Sequence, residues 1–118
     1  MVNITKQVRE AVQKSGVAEG SVIVCCPHTT AGITINENSD PDVVTDVLDG
    51  LEQIVPKLPY RHDEGNSDAH IKCSLVGISV VLPVEDGEPV LGRWQGIYFC
   101  EFDGPRNRRF TVAVNGVR

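Results

Sequence analysis

The sequence predicts a single α+β domain spanning residues 1–118, with a mainly antiparallel, half-barrel-like sheet and two to three helices. Three observations carry this. Two segments, one early and one central, place apolar residues at a 3.6-residue period. Short β-rich runs bounded by Gly, Pro and Asp follow each other closely, and most of them come late in the chain. The 118 residues are 41% hydrophobic and 23% charged, enough for one core and ordinary for a soluble globular chain.

The first helix is expected over residues 5–15, where Val8, Ala11 and Val12 share a face and Gly16 supplies a left-handed stop. Residues 21–26 read as a buried strand closed by Pro27. Residues 31–36 alternate and form its neighbour. The second helix has the clearest local signals. Asp40 is a good N-cap and Pro41 suits the first helical position. Val43, Val44, Val47, Leu48, Leu51, Ile54 and Val55 form one apolar face, Asp42, Asp46 and Asp49 lie opposite, and Pro56 ends the element. Residues 69–76 admit two readings. Ala69, Ile71, Cys73 and Leu75 alternate as in a strand, whereas Asp68 or Ser67 caps a short helix ended by Gly77. The helix is preferred. Strands are expected at 78–84, 94–102 and 108–115, with a turn at Glu85-Asp86-Gly87.

A formal net charge of -5 argues against non-specific nucleic-acid binding, which needs a dense basic face. No apolar run approaches a membrane span. The opening residues lack a signal-peptide core, so a cytoplasmic location is expected. Cys25, Cys26, Cys73 and Cys100 show no C-x-x-C spacing and sit in apolar contexts, which reads as structural filler in a reducing compartment.

His28, His62 and His70 are the only histidines, and each falls at the end of an element beside hydroxyls or carboxylates. That is how a chain assembles a metal or acid–base site, and it is equally a description of three surface histidines. Thr29 and Thr30 are either phosphate-binding hydroxyls or strand residues bonded locally. Glu37 and Asp40 are either a turn and a cap, or carboxylates serving an imidazole site. Trp94 is a core anchor or a stacking surface, and Gln95 adds an amide beside it. Arg106, Arg108 and Arg109 suit forked recognition of phosphate, or protect an edge strand by charge.

Together these motifs resemble one family. His28-Thr29-Thr30-Ala31-Gly32-Ile33-Thr34-Ile35-Asn36-Glu37-Asn38 with Asp40-Pro41 is similar to the signature of the YjbQ-like proteins, also described as secondary thiamine-phosphate synthases. The similarity continues through Tyr60-Arg61-His62, Ala69-His70-Ile71-Lys72, Gly92-Arg93-Trp94-Gln95-Gly96-Ile97-Tyr98 and Glu101-Phe102-Asp103-Gly104-Pro105-Arg106 with Arg108. Two features depart from it. The family usually has a further strand before the first helix, whose loss would open a sheet edge. It also commonly has Thr where this chain has Arg93.

The resemblance implies a homotrimer in which His28, His62 and His70 converge on one site that often holds a metal. Zinc is the first expectation for imidazole ligands, and magnesium the alternative with a pyrophosphate substrate. The implied reaction joins a pyrimidine pyrophosphate to a thiazole phosphate, as a weak, secondary activity. In that reading His28, Glu37, Asp40, His62 and His70 are catalytic, with Glu37 orienting a histidine or taking a proton. Thr29, Thr30, Lys72, Gln95, Arg106 and Arg108 bind the small phosphorylated metabolite, and Trp94 or Tyr98 offers a ring to stack on. Metal-assisted hydrolysis of a phosphorylated substrate and non-enzymatic metabolite binding are the alternatives.

Overall fold

Two antiparallel sheets and one helix enclose the core in the computed structural model, which describes residues 1–118. The elements run β1 (Val2–Asn3), α1 (Thr5–Ser15), β2 (Glu19–Cys25), β3 (Ala31–Glu37), α2 (Pro41–Ile54), α3 (Ser67–Val76), β4 (Ser79–Glu85), β5 (Glu88–Pro89), β6 (Gln95–Glu101) and β7 (Thr111–Val117). One sheet has the order β1-β6-β3 and the other β5-β4-β2-β7. The fold is α+β with open antiparallel sheets and three helices, as expected, but β2 and β3, expected as neighbours, lie in different sheets, β2 pairing with β4 and β7 and β3 with β6.

Period-two burial explains the four-stranded sheet. Val22 and Val24 of β2 are fully buried, while Ile23 between them faces out. Their cross-strand partners on the core side are Leu82 and Val80 of β4 and Val114 and Val112 of β7. Ile33 of β3 and Ile97 of β6 close the core from the other sheet, and α1 lays Val8 and Val12 over it. Each such side chain contributes about 1.5–3 kcal/mol by leaving water. At the β4–β5 turn, Asp86 and Gly87 both have positive φ (52° and 76°), the geometry a tight hairpin requires.

Residues 67–76 are helical. The apparent alternation is accidental: Asp68, Ala69, Lys72 and Cys73 turn inward at helical spacing, leaving Ile71 and Leu75 exposed. The last strand starts at Thr111, three residues later than expected, because Arg108 and Arg109 bond to other elements first. A short N-terminal strand is present: Val2 and Asn3 pair with Phe99 and Tyr98, covering part of the edge expected to be open.

α2 begins as expected, with the Asp40 side chain accepting the Asp42 N–H at 2.9 Å. Its packing is different. None of its residues is buried, and Val43, Val44, Val47, Leu48 and Leu51 are half-exposed. The radius of gyration, 15.6 Å over extents of 52 × 29 × 20 Å, exceeds the roughly 13.5 Å of a globular chain this long.

Candidate functional site

β2 ends at Cys25, and the turn that follows presents Pro27, His28, Thr29 and Thr30 before β3 begins. The loop before α3 supplies His62, Glu64 and Asn66, α3 supplies His70, and the segment before β7 supplies Arg106 and Arg108. These ten residues line one cavity of about 380 Å³ with no hydrophobic side chain in its wall. The structure therefore brings His28, His62, His70, Thr29, Thr30, Arg106 and Arg108 around one space.

Gly32 allows the close approach that sets this up. A Cβ there would stand 2.6 Å from the Gly77 carbonyl oxygen, which accepts the Ile33 N–H at 3.1 Å. The end of α3 is thereby held directly against β3.

Hydrogen bonds fix the state of two rings. Asn66 Nδ2 donates to Asp103 Oδ2 at 2.8 Å, so its Oδ1 faces His62 Nδ1 at 2.9 Å as an acceptor. A neutral His62 ring then carries its proton on Nδ1 and has its lone pair on Nε2. His28 is bonded on the other side: its Nε2 accepts the Arg109 backbone N–H at 3.1 Å, so a neutral ring carries its proton on Nδ1. His62 and His70 meet edge to face, with centroids 5.5 Å apart and planes at 85°. Asp103, which orients Asn66, also binds Arg106 Nη2 at 2.9 Å. The Asn66 bond first, and the Arg106 charge after it, hold the Asp103 carboxyl below its usual range.

Arg108 is anchored more firmly. Its Nε and Nη2 each donate at 2.6 Å to the two oxygens of Glu101, and Nη2 also reaches Thr30 Oγ1 at 2.8 Å. This forked pair holds the Glu101 carboxyl below, and the Arg108 guanidinium above, their ordinary values. Thr30 is thus a support for Arg108, whose guanidinium edge remains in the cavity wall.

Four expected site residues lie elsewhere. In the β3–β6 register Ala31 opposes Glu101 at the cavity end, and Glu37 opposes Gln95 at the other, about 20 Å away along the strands. Gln95 accepts the Gly92 N–H at 2.7 Å, and Asp40 caps α2. Lys72 points the other way from the cavity: its ammonium, nearly buried, pairs with Glu52 of α2. The aromatic platform is also absent from the cavity wall. Trp94 is exposed with Arg93 stacked 4.8 Å from its ring, and Tyr98 is buried with its hydroxyl donating to the Glu37 carbonyl at 3.0 Å. Glu64, Asn66, Glu101 and Asp103 were not among the expected site residues. Each had a signal: Glu64 flanks His62, Asn66 lies four residues after His62 with the turn-forming Gly65 between them, and Glu101 and Asp103 belong to the motif that runs to Arg106.

The donor set bears on a metal. His62 offers Nε2, and His70 lies against it. His28 offers an N–H to the cavity for as long as Arg109 occupies its Nε2, and no three ligating groups are gathered as a metal requires. Ligation by all three rings would need the Arg109–His28 bond to break, so as placed the trio does not fit a three-histidine ion.

A family model described as UPF0047 protein YjbQ-like matches residues 1–117. A UPF0047 protein of Methanocaldococcus jannaschii is 52% identical over 117 residues, 98% of this chain and 85% of that protein. The UPF0047 protein YugU of Bacillus subtilis is 50% identical over 119 residues, covering 98% and 89%. Among solved structures, an uncharacterized conserved protein of this family from Clostridium acetobutylicum superposes with a TM-score of 0.94 at 56% identity, covering 97% of this chain and 89% of that one. A protein of unknown function from Sulfolobus solfataricus also reaches 0.94, at 35% identity, over 98% and 86%. On these matches, the chain belongs to the YjbQ-like UPF0047 family.

Proposed function

We propose that the cavity binds the phosphate or pyrophosphate of a small metabolite and that the protein transfers a group at that centre as a slow thiamine-phosphate synthase. The observation that carries the binding half is the lining: three imidazoles, two guanidiniums and two hydroxyls, with Glu64 the one carboxylate in the wall, Asp103 and Glu101 bonded to the guanidiniums from outside it, and no apolar side chain. Arg106 and Arg108 meet phosphate oxygens, and the Nδ1–H of His28 donates to one. His62 takes up a proton through its free Nε2, with His70 packed against its ring. In the transfer, the thiazole nitrogen forms a bond to the pyrimidine methylene carbon. The carbon–oxygen bond to pyrophosphate breaks, and its electron pair leaves on the oxygen. Cationic and N–H donors around that oxygen stabilise the charge that develops there. The choice of reaction rests on the family resemblance, because the wall contains no Trp, Tyr or Phe ring for a pyrimidine to stack on.

The same reading includes the homotrimer, supported by the half-exposed apolar face of α2. The test uses purified protein with the two thiamine precursors, with and without added zinc or magnesium, beside a panel of phosphate esters. Thiamine phosphate formation that disappears in His70→Ala supports the reading. Ester hydrolysis lost in His70→Ala, with no thiamine phosphate, transfers it to a hydrolase. Pyrophosphate binding by calorimetry without turnover makes the chain a metabolite-binding module. Zinc retained by all three histidines, read by metal analysis of the His28→Ala, His62→Ala and His70→Ala variants, would mean that the Arg109–His28 bond yields to an ion.

A further inference from the structure

We propose that Cys26 and Cys73 form a buried dithiol which a hydroperoxide closes to a disulfide, altering the neighbouring His28–His70 site. Both thiols donate to one acceptor, the His28 carbonyl oxygen, from 3.9 Å (Cys26) and 3.8 Å (Cys73). The two sulfurs are therefore no farther apart than those two bonds laid end to end. Both are buried, at 1% and 7% exposure, yet both line a second cavity of about 470 Å³ that they share with His28 and His70. The other two cysteines are excluded by position. Cys25, half-buried at the end of β2, and Cys100 are both absent from the wall of this cavity.

Cys73, the more exposed of the pair, is the first to react. Its sulfur attacks the peroxide, the O–O bond breaks, and a sulfenic acid forms as one water leaves. The Cys26 sulfur then attacks the Cys73 sulfur, the S–O bond breaks, and a second water carries away the remaining proton. Two thiols are oxidised and one hydrogen peroxide is reduced. Cys26 lies two residues before His28, and Cys73 three after His70. Closure draws β2 and α3 together and strips the His28 carbonyl of both thiol donors, so the ring on that residue shifts.

The coupling to ligand rests on the phosphate-binding reading, whereas the crosslink does not. The full chain is treated with hydrogen peroxide under native conditions. Intact mass should fall by two hydrogen atoms, peptide mapping should join the Cys26 and Cys73 peptides, and dithiothreitol should reverse both. Phosphate affinity of the oxidised protein should fall about fivefold or more. Cys73→Ser should bind phosphate normally and form no link. A folded protein that forms no link, a link through Cys25 or Cys100, or a Cys26–Cys73 link that leaves phosphate affinity unchanged would overturn the inference. If the reduced protein does not bind phosphate, the proposed function fails instead. The coupling is then read from the His28 and His70 ring resonances, and an unchanged spectrum on oxidation overturns it.

Discussion

α1 and α2 are both amphipathic, yet they end in opposite environments. α1 buries Val8 and Val12 completely against the two sheets, and Ile4 just before it seals the same core. α2 carries the longer apolar face and buries none of it; only Val55, just past its end, is enclosed. An apolar stripe therefore specifies that a helix has a partner and leaves open where the partner is. For α1 the partner is the chain's own sheet. For α2 the proposed partner is another copy of the chain.

A charge placed on each stripe is the strongest way to break the comparison. Val12→Asp buries a carboxylate in the apolar core and should abolish folding, read as loss of the cooperative urea transition. Val47→Asp, on the half-exposed stripe, should leave circular dichroism intact and convert the proposed trimer to monomers in sedimentation. A folded Val12→Asp, or a Val47→Asp trimer with unchanged sedimentation, would erase the distinction drawn here.

The next effect concerns α3, which unlike α2 is pinned to the body. Gly32→Ala puts a Cβ 2.6 Å from the Gly77 carbonyl, where backbone on both sides must shift. A loss of about 1–3 kcal/mol in urea unfolding is expected, with weaker phosphate binding because Thr29 and Thr30 just before β3 and His70 of α3 all line the cavity. Unchanged unfolding would show that the contact between β3 and α3 is slack.

How much of this was legible in the sequence follows from the range of the interactions. The cap of α2, the stop at Gly16 and the alternation in β2 are local, and they could be read directly. The convergence of His28, His62 and His70 came from residue type and motif together. Glu37, Asp40 and Gln95 misled because nearness in sequence does not say which end of a strand a residue occupies. Six residues of extended chain separate them from the cavity. Lys72 misled for a related reason: the two residues of helix between it and His70, about 200° of rotation, turn it from the imidazoles to Glu52. Glu101 and Asp103 stand in the family signature, but their pairing with Arg108 and Asn66 is supplied by the fold.

Acid sharpens the comparison between the body and α2. Glu101, half-buried and forked onto Arg108, has its carboxyl held below the unfolded value. Its contribution is complete above the unfolded pKa of about 4.3 and is lost as pH falls through the lower folded value. Stability should therefore drop on acidification in that window, and Glu101→Gln should flatten the drop. Glu52 is also held low, first by its hydrogen bond to Lys72, but its side chain is 58% exposed and screened by water. Glu52→Gln should leave the acid limb unchanged, and a flattening equal to that of Glu101→Gln would remove the contrast.

The smallest effect is expected at the tie between α2 and the body. The Lys72 ammonium is nearly buried while its partner Glu52 is exposed, so the pair is half in water. Lys72→Met keeps the length of the stem and removes the charge that burial disfavours, leaving Glu52 free to hydrate. Unfolding free energy should change by less than about 1 kcal/mol. Phosphate affinity should not change, because Lys72 faces α2 and is absent from the cavity wall. Arg108→Ala is the control with the opposite expectation. It removes a cavity cation and leaves Glu101 unpaired, so it should weaken both phosphate binding and stability. Phosphate affinity lost in Lys72→Met and kept in Arg108→Ala would move the anion site from the histidine cavity to the cleft beneath α2, and the two helices would then differ in function as well as in packing.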